Sequence, residues 1–179
     1  MTVDKEYECY SDDWRRTNPD LVLYLPKEPV YWPEAVDHLL VDSAPRGHLL
    51  AIWTMAVKAG GEDESVYFAR SEDGGLTWTD PGVVDGPGPK QGQVSCFGFP
   101  IISRSGRIYC FYNKGLGVGD SYVTGSLSCK VSDDDGLTWA GGDVEIPYRR
   151  SRYDHPDPSV GSNCIVWQKP IRDASDRPV

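Results

Sequence analysis

An eight-residue stretch that occurs twice constrains this chain more than any other feature. Ser71-Glu72-Asp73-Gly74-Gly75-Leu76-Thr77-Trp78 and Ser132-Asp133-Asp134-Asp135-Gly136-Leu137-Thr138-Trp139 share the pattern S-x-D-x-G-x-T-W. Asp73 and Asp134 can fold their carboxylates back onto backbone N–H groups a few residues on, and Gly75 and Gly136 accept positive φ. Ser71, Ser132, Thr77 and Thr138 add local hydrogen bonds, while Trp78 and Trp139 each offer one large apolar anchor. Each copy is therefore predicted to close a hairpin corner.

The two leading serines stand 61 residues apart, a period that suits one four-stranded antiparallel unit with generous loops. Aligned on these corners, residues 47–53 correspond to 106–112, each a β-rich run opened by a glycine turn. The first unit is predicted to place strands over 37–41, 48–55, 65–70 and 82–85, and the second over 99–103, 107–113, 125–131 and 143–146. Helical periodicity is nearly absent, and 19 glycines and 14 prolines punctuate the chain at strand-length intervals. The expected fold class is all-β.

The two corners resemble Asp-boxes, or BNR repeats, the signature of the sialidase (neuraminidase) superfamily of β-propellers. In that family the box closes the turn between the third and fourth strands of a blade, on the side of the disc away from the active site. The resemblance implies a partial six-bladed β-propeller. Residues 1–33 would be an N-terminal extension or closing strand, 34–89 blade one, 90–150 blade two, and 151–179 an interblade loop with the truncated start of a third blade. Six blades at this period need about 366 residues, so the chain is expected to be the front of a longer parent. A complete small protein that closes by self-association is the alternative. The 179 residues alone, holding under three of six blades, are expected to be inactive.

Composition bounds the partners. With a net charge of −9, neither nucleic acid nor an anionic membrane surface is expected, since both need a basic footprint. No apolar run reaches about 18 residues, so no transmembrane helix is predicted. Residues 1–10 have neither a positive nor an apolar stretch of signal-peptide type, which favours a cytoplasmic setting. The five cysteines, Cys9, Cys96, Cys110, Cys129 and Cys164, are odd in number and show no C-x-x-C spacing. That fits reduced thiols better than a disulfide framework, with a Cys110–Cys129 bridge across neighbouring strands as the alternative. No metal site and no cofactor are expected.

In the sialidase family the active site lies over the disc centre on the face opposite the boxes, which directs attention to loops 54–64, 86–98, 113–124 and 147–166. The family grips the sialic acid carboxylate with three arginines and uses an aspartate acid/base and a tyrosine nucleophile paired with a glutamate. The first arginine belongs to a Phe/Tyr-Arg-Ile-Pro motif on the first strand, yet residues 34–40 hold none, and no carboxylate stands near Thr54 where the aspartate is expected. At the start of the first strand, Asp37 and His38 form a candidate acid/base pair, or a hydrogen-bonded structural pair. Asp63 is a candidate general acid if desolvated beside Trp53, or a solvated loop tip. Trp53, Asn113, Asp120, Arg150, Asp154, Gln168 and Lys169 are candidate sugar contacts. Guanidinium forks suit an anionic sugar, and aromatic faces suit a sugar ring. The implied activity is that of a glycoside hydrolase acting on an acidic or other glycan. A non-catalytic propeller that binds carbohydrate or protein is the alternative, because fold does not fix function.

Overall fold

The structure is a computed structural model that describes residues 35–57, 62–87, 94–115, 125–141, 146, 149–160, 162, 169–171 and 173–175. Among these residues the chain is all-β, with seven strands in two antiparallel sheets and no helix. The first sheet is a meander of β1 (Ala35–Ser43), β2 (Leu49–Ala56), β3 (Ser65–Ser71) and β4 (Gly82–Asp85). The second contains β5 (Ser95–Ile102), β6 (Ile108–Gly115) and β7 (Gly125–Ser132) in the same order. Of the strand predicted over 143–146, only Ile146 is described. It bridges Leu127, as Asp85 of β4 bridges Val66, and Ala140 bridges Val131. Residues 1–33, with the expected extension, lie outside the described residues.

The two sheets repeat residue for residue. Leu49 opposes the box serine Ser71, and Ile108 opposes Ser132. Both first strands carry a bulge at the same place, between Asp37 and Leu40 and between Cys96 and Phe99. Each bulge holds a non-glycine residue in the left-handed region, His38 at φ 55° and Phe97 at φ 56°. This bulge breaks the alternation of β5, which is why that strand begins at Ser95 rather than at the predicted residue 99.

The boxes form matching networks. In the first, Ser71 Oγ donates to Asp73 Oδ1 (2.8 Å) and accepts the Gly75 N–H (2.7 Å). Thr77 donates its N–H to Asp73 Oδ1 (2.8 Å) and its hydroxyl to Oδ2 (2.5 Å). In the second, Ser132, Asp134, Gly136 and Thr138 repeat all four bonds at 2.8, 2.8, 2.8 and 2.5 Å. Gly75 (φ 98°) and Gly136 (φ 84°) take the positive φ expected of them. Trp78 closes the first box through its Nε1–H to the Gly75 carbonyl (3.1 Å) and packs on Ala51, Trp53 and Ala69, while Trp139 packs into the core between the sheets.

That core joins one face of the first sheet, with Leu50, Ile52, Val66 and Val84, to Ile108, Cys110 and Tyr112 of β6. Burying each such side chain contributes about 1.5–3 kcal/mol. Two polar locks flank it. At one end Lys114 Nζ donates to Asp85 Oδ2 (2.5 Å), the Gly86 carbonyl (2.7 Å) and Ser95 Oγ (2.9 Å), and Lys130 Nζ meets Asp85 Oδ1 at 2.9 Å. Burial alone would raise the Asp85 carboxyl, but the bonds from Lys114, Ser95 and Lys130 outweigh it and hold it below the usual range. At the other end Asp135, buried and left-handed at φ 65°, faces His48 Nδ1 (2.7 Å) and accepts the Arg70 Nε–H at its backbone oxygen (2.8 Å).

The thiols of Cys96, Cys110 and Cys129 are free. Cys129 opposes Phe111 while Cys110 opposes Lys130, so strand alternation sends the two sulfurs to opposite faces of the sheet and no bridge joins them. Burial pushes the Cys129 thiol up to about 11.

Thr77's hydroxyl and N–H, with Ser71, hold the Asp73 carboxyl at about 2 against an ordinary 3.8. At Asp134 slight burial acts the other way, but Thr138 and Ser132 prevail and hold it at about 2 as well. Depressed carboxylates stabilise above the unfolded value and lose that contribution as pH falls through the folded one. The Asp73→Asn/Asp134→Asn double variant, which keeps the bond geometry but cannot titrate, should therefore flatten the fall in melting temperature between about pH 4 and pH 2. An unchanged acid limb in thermal melts would contradict the box assignment.

Candidate functional site

Both boxes sit at the end of the sheets that carries the 44–48 and 103–107 hairpins. The opposite end gathers the starts of β1, β3 and β5, and three of the sequence-predicted residues lie on or beside the bulged strands there. His38 projects from its bulge onto its own counterpart in the second sheet, its ring edge-on to Phe97 with centroids 5.6 Å apart. Asp37 opposes Thr54, whose hydroxyl accepts the Phe97 N–H at 2.8 Å and so ties the two bulges together. Asn113, the third, stands near the end of β6 opposite Cys96 and is buried.

The electrostatics of this end push an acid and a base toward each other. Although Asp37 remains exposed, partial burial of its carboxyl raises it above the usual value of 3.8, against the opposing pull of His38. Burial lowers His38 below 6.5, countered by Asp37 and by the Gly98 backbone. The two shifts run toward each other, a carboxyl that holds its proton longer beside an imidazole that sheds its proton sooner. Glu64, which sequence reasoning passed over in favour of Asp63, belongs here too. It is buried at the entry to β3, and its backbone carbonyl accepts the Ser95 N–H (3.1 Å). Burial first, then the charges of Glu64 and Asp37, push the Cys96 thiol far above its ordinary range, so Cys96 is inert as a nucleophile.

The remaining candidates make other contacts. Asp63, just before β3 at this same end, accepts the Val57 N–H through Oδ2 (2.7 Å), with its side chain exposed rather than desolvated. Trp53 is 3% exposed, stacked on Tyr67 at 6.1 Å on the outer face of the first sheet, and presents no open ring face. Arg150 donates to the backbone carbonyls of Val160 (2.8 Å), His155 (2.7 Å) and Asp157 (3.4 Å), stapling its own loop. Asp154 accepts the Ser151 N–H in that same loop (2.5 Å). Lys169 pairs with Asp42 at 2.6 Å, toward the box end of β1 and away from the other candidates. Asp120 and Gln168 lie outside the described residues.

Among the described residues no three His, Cys, Asp or Glu side chains converge to hold a metal ion. In comparison with known proteins, no family model matches the chain and no curated protein matches it.

The His38 imidazole should titrate below 6.5 in the folded chain. Its contribution to stability is then complete above pH 6.5 and declines as pH falls toward the folded value, because the unfolded chain takes the proton first. In an NMR titration, Asp37→Asn should lower the His38 midpoint further by removing the neighbouring negative charge. A midpoint that stays put or rises would remove the pairing of the two groups.

Proposed function

We propose that this chain is part of a sialidase-type β-propeller, about two blades and the start of a third, whose parent protein acts on a glycan as a glycoside hydrolase. The observation that carries the reading is the pairing of opposites in one molecule. Two matching Asp-box networks close corners at one end of two stacked sheets, and an acid, a base and a buried second carboxylate gather at the other end. On this reading Asp37 and His38 handle the proton, and Glu64 supplies the second negative charge that stabilises a developing oxocarbenium ion.

The substrate on this reading is an acidic sugar other than sialic acid, or a neutral one. The resemblance puts the family's first carboxylate-binding arginine on the first strand, and residues 34–40 hold no arginine, so that guanidinium is absent. The net charge of −9 argues against nucleic acid and anionic membrane partners, and the partners on this reading are the glycan and the remaining blades of the parent.

A second reading, a propeller that binds a glycan or protein without cleaving it, is favoured by one specific observation. Arg150 spends its donors on carbonyls of its own loop rather than presenting them to a ligand. The two readings part on one experiment, in which the full-length parent is screened against aryl glycosides and acidic oligosaccharides. The hydrolase reading expects turnover that drops at least about 100-fold in Asp37→Asn. Binding to a glycan array with no turnover on any substrate would transfer the assignment to the second reading.

A further inference from the structure

We infer that Thr54 is a positioning residue for His38. Acting through the Phe97–Gly98 peptide of the second sheet, it holds the imidazole in one orientation and fixes which ring nitrogen carries the proton. The inference rests on the reading that Asp37 and His38 handle the proton, and adds that a side chain outside this pair sets its geometry.

Three contacts meet on that peptide. The Phe97 N–H donates to Thr54 Oγ1 at 2.8 Å, and the Phe97 ring stands perpendicular to the imidazole, with centroids 5.6 Å apart. Burial lowers His38, while Asp37 and a hydrogen bond to the Gly98 backbone pull the other way. A bond that favours the protonated ring is one that the ring donates, so the Gly98 carbonyl is the acceptor. The nitrogen facing this carbonyl keeps its proton in the neutral imidazole as well, which leaves the lone pair on the other nitrogen.

The peptide has little room to sit anywhere else. Thr54 and Phe97 are both 4% exposed, so the threonine hydroxyl rather than solvent takes the N–H. Phe97 is left-handed at φ 56°, a backbone that a bulky residue keeps only where surrounding contacts hold it. Gly98 lies so close to the first sheet that a Cβ would stand 2.4 Å from Val66 Cγ1 and 3.1 Å from Ile52 Cγ2, which brings its carbonyl up to the ring. The repeat also separates two roles. Asp37, His38 and Leu39 of the first bulge correspond to Cys96, Phe97 and Gly98 of the second. The first bulge carries the titratable pair. The second, with an inert thiol, a ring and a glycine, supplies the surface that holds it.

The test is NMR of the imidazole nitrogens in the 179-residue chain, with the His38 signals assigned by their loss in His38→Asn. In the wild type, His38 should be a single tautomer above its midpoint, and the Phe97 amide and Gly98 carbonyl should titrate with it. Thr54→Val, which removes the acceptor, should release the ring into a mixture of both tautomers and speed exchange of the Phe97 amide by about tenfold. Thr54→Ser, which keeps a hydroxyl, should restore the single tautomer. A mixture in the wild type, or a tautomer unmoved in folded Thr54→Val, would overturn the proposal. So would a Phe97 amide and Gly98 carbonyl silent to the His38 titration, a measurement that needs no variant to fold. In the longest natural form of the protein, turnover that drops in Asp37→Asn but not in Thr54→Val would overturn the positioning role alone. No turnover of any glycan, with the tautomer still responding to Thr54→Val, would remove the hydrolase reading and leave the positioning of His38 in place.

Discussion

Gly98 is the point on which the stacking of the two sheets depends. Its lack of a side chain lets the β5 bulge approach Val66 and Ile52 more closely than any other residue would allow. At that spacing the Phe97 N–H reaches Thr54, Lys114 reaches Asp85, and Asp135 reaches His48 and Arg70. Interiors pack too densely for one of these contacts to be adjusted without the others. The apolar core supplies most of the attraction, and the polar locks determine which face of the second sheet it lies against.

The repeat is close in its boxes and different in what the boxes touch. Gly74 of the first box corresponds to Asp135 of the second, and both take positive φ, 76° and 65°. A non-glycine residue in that region carries strain, which persists only where surrounding contacts offset it. Here the Asp135 side chain and carbonyl join the second box to His48 and Arg70 of the first sheet. The same repeat thus makes a corner in one copy and a corner plus an inter-sheet bond in the other. A comparable division separates the two ends of the sheets, with depressed carboxylates fixed in the boxes and a raised carboxyl beside a lowered imidazole at the far end.

Much of the fold was legible because it is written in local chemistry. The boxes announce themselves through serine, aspartate, glycine and threonine within eight residues, and the strand ending at Asp85 follows from the turn before it. The bulges were not legible, since no glycine stands at either left-handed position and Phe97 is a bulky residue that rarely adopts that backbone. Asp85, Lys114 and Lys130 meet across strands and loops that no local pattern links. Of the candidate site, Asp37 and His38 stood out as an adjacent acid and base. Glu64 was hidden in the acidic run 62–64, where only burial separates it from Asp63. Trp53 could have been placed from alternation alone, because Ala51, Trp53 and Met55 mark a second apolar face of β2 that requires packing.

The central claim is that two copies of one unit are locked face to face into a single cooperative body. Native-state amide hydrogen exchange tests it most directly, by comparing the slowest amides of β2 and β6. These are the central strands, and each lies against the shared core. The account predicts one common opening free energy for both strands, because neither sheet can separate without exposing Leu50, Ile52, Ile108 and Tyr112 together. A second sheet that opens at markedly lower cost while β2 stays protected would contradict it, and would mean that the two sheets fold as independent units.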